Sequence, residues 1–127
     1  MEVSVNKSSL NYDHMLGSWK NSYLKSKGIS NFILNSDSTN LSISITGTPN
    51  GLVSGNWGTT PLSPFAYKPT QEKADGFIGN FTSPEFDALL CIYNNKGLIV
   101  LEAVIQFKGD SDLNNWMVRE FFFHENS

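Results

Sequence analysis

Cysteine is almost missing from this sequence: Cys91 stands alone, so no disulfide can form within the chain. Small chains often need such staples, but 127 residues can bury a working core without them. With no charged-then-apolar leader over residues 1–12, the expected setting is reducing and cytoplasmic. Cys91 falls in the apolar run 88–92 and is expected to be a buried, inert thiol. Long apolar runs are absent too. None approaches the roughly 20 residues that a membrane-spanning helix needs, so no membrane partner is expected. Basic residues are outnumbered, nine Lys and Arg against twelve Asp and Glu, for a net charge of −3. Only Lys20, Lys25 and Lys27 come near each other, and they form no basic stripe, which argues against a nucleic-acid partner.

Motifs that carry chemistry are equally scarce. His14 and His124 are the only imidazoles, each close to one end, and neither sits in a nucleophile elbow or triad sequence. No His, Cys, Asp and Glu spacing suggests a metal centre, and no glycine-rich loop precedes a helix to cradle a phosphate. No cofactor and no metal are expected.

What the chain does contain is a series of short β-rich runs cut by turn residues. Residues 1–15 read as an N-terminal extension, polar and loosely held over the first dozen, with a helical turn expected at 10–15. Residues 16–127 read as a single domain. Residues 19–23 and 29–35 are predicted strands, separated by a turn at 25–28. Residues 40–46 alternate cleanly, with Leu41, Ile43 and Ile45 against Ser42, Ser44 and Thr46, as a half-buried strand does. Thr48-Pro49-Asn50-Gly51 reads as a turn before a strand at 52–59. Pro61, Pro64 and Pro69 mark the least regular section, with a short strand at 65–68. Strands at 75–82 and 86–93 follow, then the hairpin signal Asn94-Asn95-Lys96-Gly97, the long strand 98–107 and a last strand over 114–124.

Eight or nine successive strands with short connections, and no helix able to cover a sheet, point to an all-β domain. The expected form is an eight-stranded antiparallel up-and-down barrel, which leaves no strand edge unpaired. A two-sheet sandwich is the rival. The strands at 98–107 and 117–123 are apolar on both faces, and such strands are normally covered on both sides. Without helices the outer cover would be another subunit, so a homo-oligomer, dimer or tetramer, is expected.

The segment Leu16-Gly17-Ser18-Trp19-Lys20-Asn21 resembles the Gly-x-Trp opening shared by lipocalins, fatty-acid-binding proteins and avidins, the calycins. Length and strand spacing are most similar to avidins, loosely from Leu16 to Phe123. That resemblance implies a ligand-binding Asn at Asn21, and matches Ser54-Gly55-Asn56-Trp57-Gly58-Thr59 to a strand that contributes Trp57 and Thr59 to a ligand. It also sets Trp116 at the opening of the last strand. The aromatic walls of avidins correspond here to Phe81 and Ile105, and their late acidic or amide group to His124. Their ligand-contacting serines have no counterpart near Pro84, so biotin is not the expected ligand. The calycin resemblance further implies that Trp19 plugs one barrel end against a basic side chain of the last strand, with Arg119 as the partner.

The expected ligand-binding set is Asn21, Tyr23, Trp57, Thr59, Tyr67, Phe81, Phe107, Trp116 and Glu120, apolar surface with a few placed polar groups. Glycines around Trp57 suggest a closely approached backbone. The register of the last strand decides whether Glu120 or Arg119 faces inward, because a slip of one residue exchanges the two faces. The leading expectation is a small-molecule-binding barrel for an apolar or amphipathic ligand, or a sugar. The alternatives are a cyclase or isomerase using Glu120, Glu102 or Tyr23 as its acid–base group, and a structural oligomer with a filled barrel.

Overall fold

The computed structural model describes residues 10–37 and 40–125. Eight strands follow the sequence signals: β1 (Gly17–Asn21), β2 (Ile29–Asp37), β3 (Asn40–Gly47), β4 (Gly55–Phe65), β5 (Gly76–Thr82), β6 (Phe86–Asn95), β7 (Leu98–Phe107) and β8 (Trp116–His124). Each pairs antiparallel with the next, and β8 returns to β1, which closes an up-and-down barrel. A two-sheet sandwich is thereby excluded. The architecture is consistent with a calycin-like fold.

Alternation along each strand builds the core. Ile99, Leu101, Ala103 and Ile105 of β7 point inward beside Val118 and Phe122 of β8, and all are buried. Phe32, Ile43, Phe77 and Ile92 fill the barrel from the other strands. Burying each such side chain contributes about 1.5–3 kcal/mol.

Two local predictions need correction. β4 continues through Pro61 and Pro64 to Phe65, and residues 65–68 form no separate strand. Pro61 is the last residue paired with β3, and Pro64 lies beyond that pairing, where a missing N–H donor is tolerated. Residues 10–12 are also not loose. Asn11 bridges to Lys73, donating its N–H to the Glu72 carbonyl (2.8 Å) and accepting from the Ala74 N–H (2.9 Å). The rest of the predicted extension, residues 1–9, lies outside the described residues.

This tether, the short 3-10 turn Asp13–Met15 and the buried Met15 and Trp19 shut one end of the barrel. The indole N–H of Trp19 donates to the Met15 carbonyl at 2.9 Å. Its basic partner is His124, with ring centroids 4.6 Å apart, and not Arg119 as the calycin resemblance implied. The register explains the exchange. Trp116, Val118, Glu120, Phe122 and His124 share the inward face of β8, so Arg119 stands outside, 5.2 Å over the Phe121 ring and paired with Glu102 at 3.2 Å.

The outer face also differs in part from expectation. Val100 is fully buried although it points outward, flanked in its cross-strand row by Tyr93 and Phe121. Aromatic side chains of the same sheet thus flank this part of the outer apolar surface. Leu89, Val104 and Met117 form another row across β6, β7 and β8 and remain exposed, with Ile78 nearby on β5.

Candidate functional site

The β1–β2, β3–β4, β5–β6 and β7–β8 connections gather at the end opposite Trp19. Six of the predicted ligand-binding residues lie on the inward face toward this end: Asn21, Trp57, Phe81, Phe107, Trp116 and Glu120, with Asn21 touching Glu120 and Trp57 touching Phe81. Tyr23 lies above them on the β1–β2 connection, more than half exposed. Two residues are placed elsewhere. Thr59 is on the outer face, its hydroxyl 2.8 Å from that of Ser44. Tyr67 is exposed on the β4–β5 connection at the closed end.

Trp57 reaches the interior through a bulge. Ile45 pairs with Gly58 and Thr46 with Asn56, leaving Trp57 as the extra residue of β4. The flanking Gly55 and Gly58 have φ of +90° and +92°, and a Cβ on either would meet nothing within 4 Å. These glycines are there for backbone conformation, not for the close approach expected from sequence. The Trp57 indole packs edge-on to Phe81 and Phe86, centroids 5.5 and 4.9 Å away, and donates its N–H to the Val53 carbonyl.

Glu120 anchors the polar side of this end. Its Oε1 accepts hydrogen bonds from the Asn21 amide (3.0 Å) and the Ser26 hydroxyl (2.8 Å). Asn21 gives its other amide hydrogen to the Ile29 carbonyl (2.8 Å), while its Oδ1 accepts from the Tyr23 N–H (2.8 Å). Both donors of Asn21 are therefore spent within the protein. The Gly28 N–H donates to the Ser26 hydroxyl oxygen, so this network folds the β1–β2 connection over the barrel rim.

Beside that connection is a cleft of about 480 Å³, lined by Lys20, Asn21, Tyr23, Leu24, Lys25, Ser26, Lys27, Ser30, Thr48 and Pro49. Its volume falls in the range of small-molecule sites. A bulge in β2 leaves Ser30 unpaired with β3 and delivers it to the cleft. The Thr48 N–H donates to the Gly28 carbonyl at 2.9 Å, which clamps the β3–β4 connection onto β1–β2. The Thr48 hydroxyl oxygen is buried and has no hydrogen-bond partner, an arrangement that carries a desolvation cost. Sequence reasoning missed Ser26, Ser30, Thr48 and the grouping of the three lysines. The short spacing of Lys20, Lys25 and Lys27 was the available signal.

Of the other two proposed acid–base groups, Tyr23 borders the cleft beside Asn21, whereas Glu102 does not join Glu120. Glu102 is on the outer face, where its Oε2 accepts from the Tyr93 hydroxyl at 2.7 Å and from Arg119. That bond to Glu102 raises the Tyr93 pKa above the ordinary tyrosine value. Cys91 is half-buried on the same face rather than sealed in the core. Burial, then the Glu102 charge, push its thiol pKa up, so it remains weakly nucleophilic. Among the described residues no group of His, Cys, Asp and Glu is placed to hold a metal ion, and no helix is long and apolar enough to cross a membrane. No protein-family description, curated protein or solved structure matches the chain.

Proposed function

We propose that this protein is a non-catalytic barrel that binds a small molecule at the end opposite Trp19. One observation carries the reading. A cleft of about 480 Å³ opens there beside buried polar groups, whereas Met15 and Trp19 close the other end. The network around Glu120 favours binding over catalysis, because Oε1 of its carboxylate already accepts two hydrogen bonds. The inward placing of Trp116 and Glu120 and the position of Asn21 at the end of β1 support a distant likeness to avidins. One unpaired cysteine suits a cytoplasmic setting.

The test is a screen of neutral and charged metabolites by thermal shift and amide chemical-shift mapping. Ligands of this site raise the melting temperature and move the signals of Ser26, Ser30 and Thr48. A broad panel that leaves those signals unmoved refutes the reading.

The same proposal includes self-association through the outer faces of β5–β8. Leu89, Val104 and Met117 form an exposed apolar row there. The charges around it are already matched, Lys108 with Asp87 and Arg119 with Glu102, so the same face of a second copy meets no net repulsion.

A further inference from the structure

We infer that the cleft beside the β1–β2 connection selects an organic anion carrying a short apolar tail. The inference rests on reading this end of the barrel as the binding site and adds the chemical class of the ligand.

The charge pattern is the first observation. Lys20, Lys25 and Lys27 all line the cleft, and no acidic side chain does. This is a concentration of cations in a protein whose net charge is −3. Among the described residues none of the three forms an ion pair, while Lys108 and Arg119 have carboxylate partners elsewhere. Glu120 is not part of the cleft lining, and its Oε1 accepts from the two lining residues Asn21 and Ser26. A concave site walled by one sign of charge concentrates ligands of the other sign.

A second observation supplies hydrogen bonding. The buried hydroxyl of Thr48 lacks a partner, and Ser30 is turned to the same wall by the β2 bulge. The third concerns the tail. Tyr23 and Leu24 border the cleft with Pro49 and are 58% and 85% exposed, so an apolar chain laid against them removes surface now facing water. Carboxylate and phosphate monoester head groups share the chemistry this wall recognises.

The test compares octanoate, octyl phosphate, inorganic phosphate and 1-octanol by calorimetry and amide chemical-shift mapping on the full chain. One or both tailed anions bind about tenfold or more tighter than 1-octanol and tighter than inorganic phosphate, and their affinity falls several-fold between about 0.05 and 0.5 M salt. Which of the two binds better identifies the head group. The variant K20Q/K25Q/K27Q changes only exposed side chains, so it folds, and it loses about tenfold affinity for the anion, with a clearly smaller change for octanol. Equal affinity for octanol and the anions, or full anion affinity in the triple variant, overturns the inference. Neutral compounds that bind where both tailed anions fail leave the binding reading standing and remove anion selection. If nothing charged or neutral binds, both fall.

Discussion

Glu120 shows how much one side chain can organise. Its Oε1 accepts from Asn21 and Ser26, and those two residues hold the β1–β2 connection in place. In Glu120→Ala both donors lose their acceptor, at about 1–3 kcal/mol in a half-buried setting. Chemical denaturation is expected to show a loss in that range for Glu120→Ala and a clearly smaller one for Glu120→Gln, whose amide oxygen can still accept. Equal losses would show that the network does not depend on an acceptor at this position. Cys91 offers a separate check at the same scale. Since burial and then Glu102 raise its pKa, its alkylation near neutral pH is expected to be slower than that of a free thiol. Glu102→Gln lowers the thiol pKa and speeds the reaction, and titrating the thiol left after timed alkylation with a chromogenic disulfide in denaturant measures both effects. The same logic gives a sign at Tyr93, whose folded pKa is raised chiefly by its bond to Glu102. The contribution of that bond is complete below the unfolded tyrosine value near 10 and disappears as pH climbs through the folded value.

Among the connections, two turns carry testable weight. The β6–β7 hairpin turns through Lys96 and Gly97, with φ of +54° and +89°. Positive φ at both central positions is the type I′ pattern, in which Asn followed by Gly is favoured. Lys96→Asn is therefore expected to stabilise the protein by roughly 0.5–1 kcal/mol, read as a rise of a few degrees in the melting temperature. The Thr48–Gly51 turn is linked to the cleft instead. A methyl group on Gly51 would meet the Lys27 carbonyl oxygen at 2.5 Å and also the Thr48 hydroxyl. Gly51→Ala must push the β3–β4 connection away from β1–β2, so both stability and ligand affinity are expected to fall, while the shifts of β6 and β7 stay unchanged. How far these elements could be read from sequence varied in an instructive way. The 98–107 strand and the 94–97 hairpin were legible because alternation and turn chemistry agree there. Residues 52–68 were not, since proline usually breaks strands and the edge-like position that tolerates it depends on where the β3 pairing stops.

For the whole molecule, the expected behaviour is association through the exposed row Leu89, Val104 and Met117. Light scattering at micromolar concentration should find an oligomer, and Leu89→Lys with Met117→Lys should convert it to a folded monomer. A monomeric wild-type protein would refute this assembly.

Sequence by itself determined the class and the closure. Alternating apolar residues, short turns and the lack of any covering helix leave few ways to bury both the strands' inner faces and their edges, and the closed barrel does both. Sequence also singled out Asn21, Trp57, Phe81, Phe107, Trp116 and Glu120 by residue type and by likeness, but not the faces on which they lie. Tertiary structure alone decided the rest. Whether Glu120 or Arg119 faced inward was a matter of register, and one residue of slip reverses every face of β8. His124 replaced Arg119 beside Trp19 for the same reason. The cleft and its three lysines come from two connections folded against each other, held by Glu120 and by the Thr48 bond to Gly28. Those contacts join residues nearly a hundred positions apart as well as neighbours, and no local pattern in the chain encodes them.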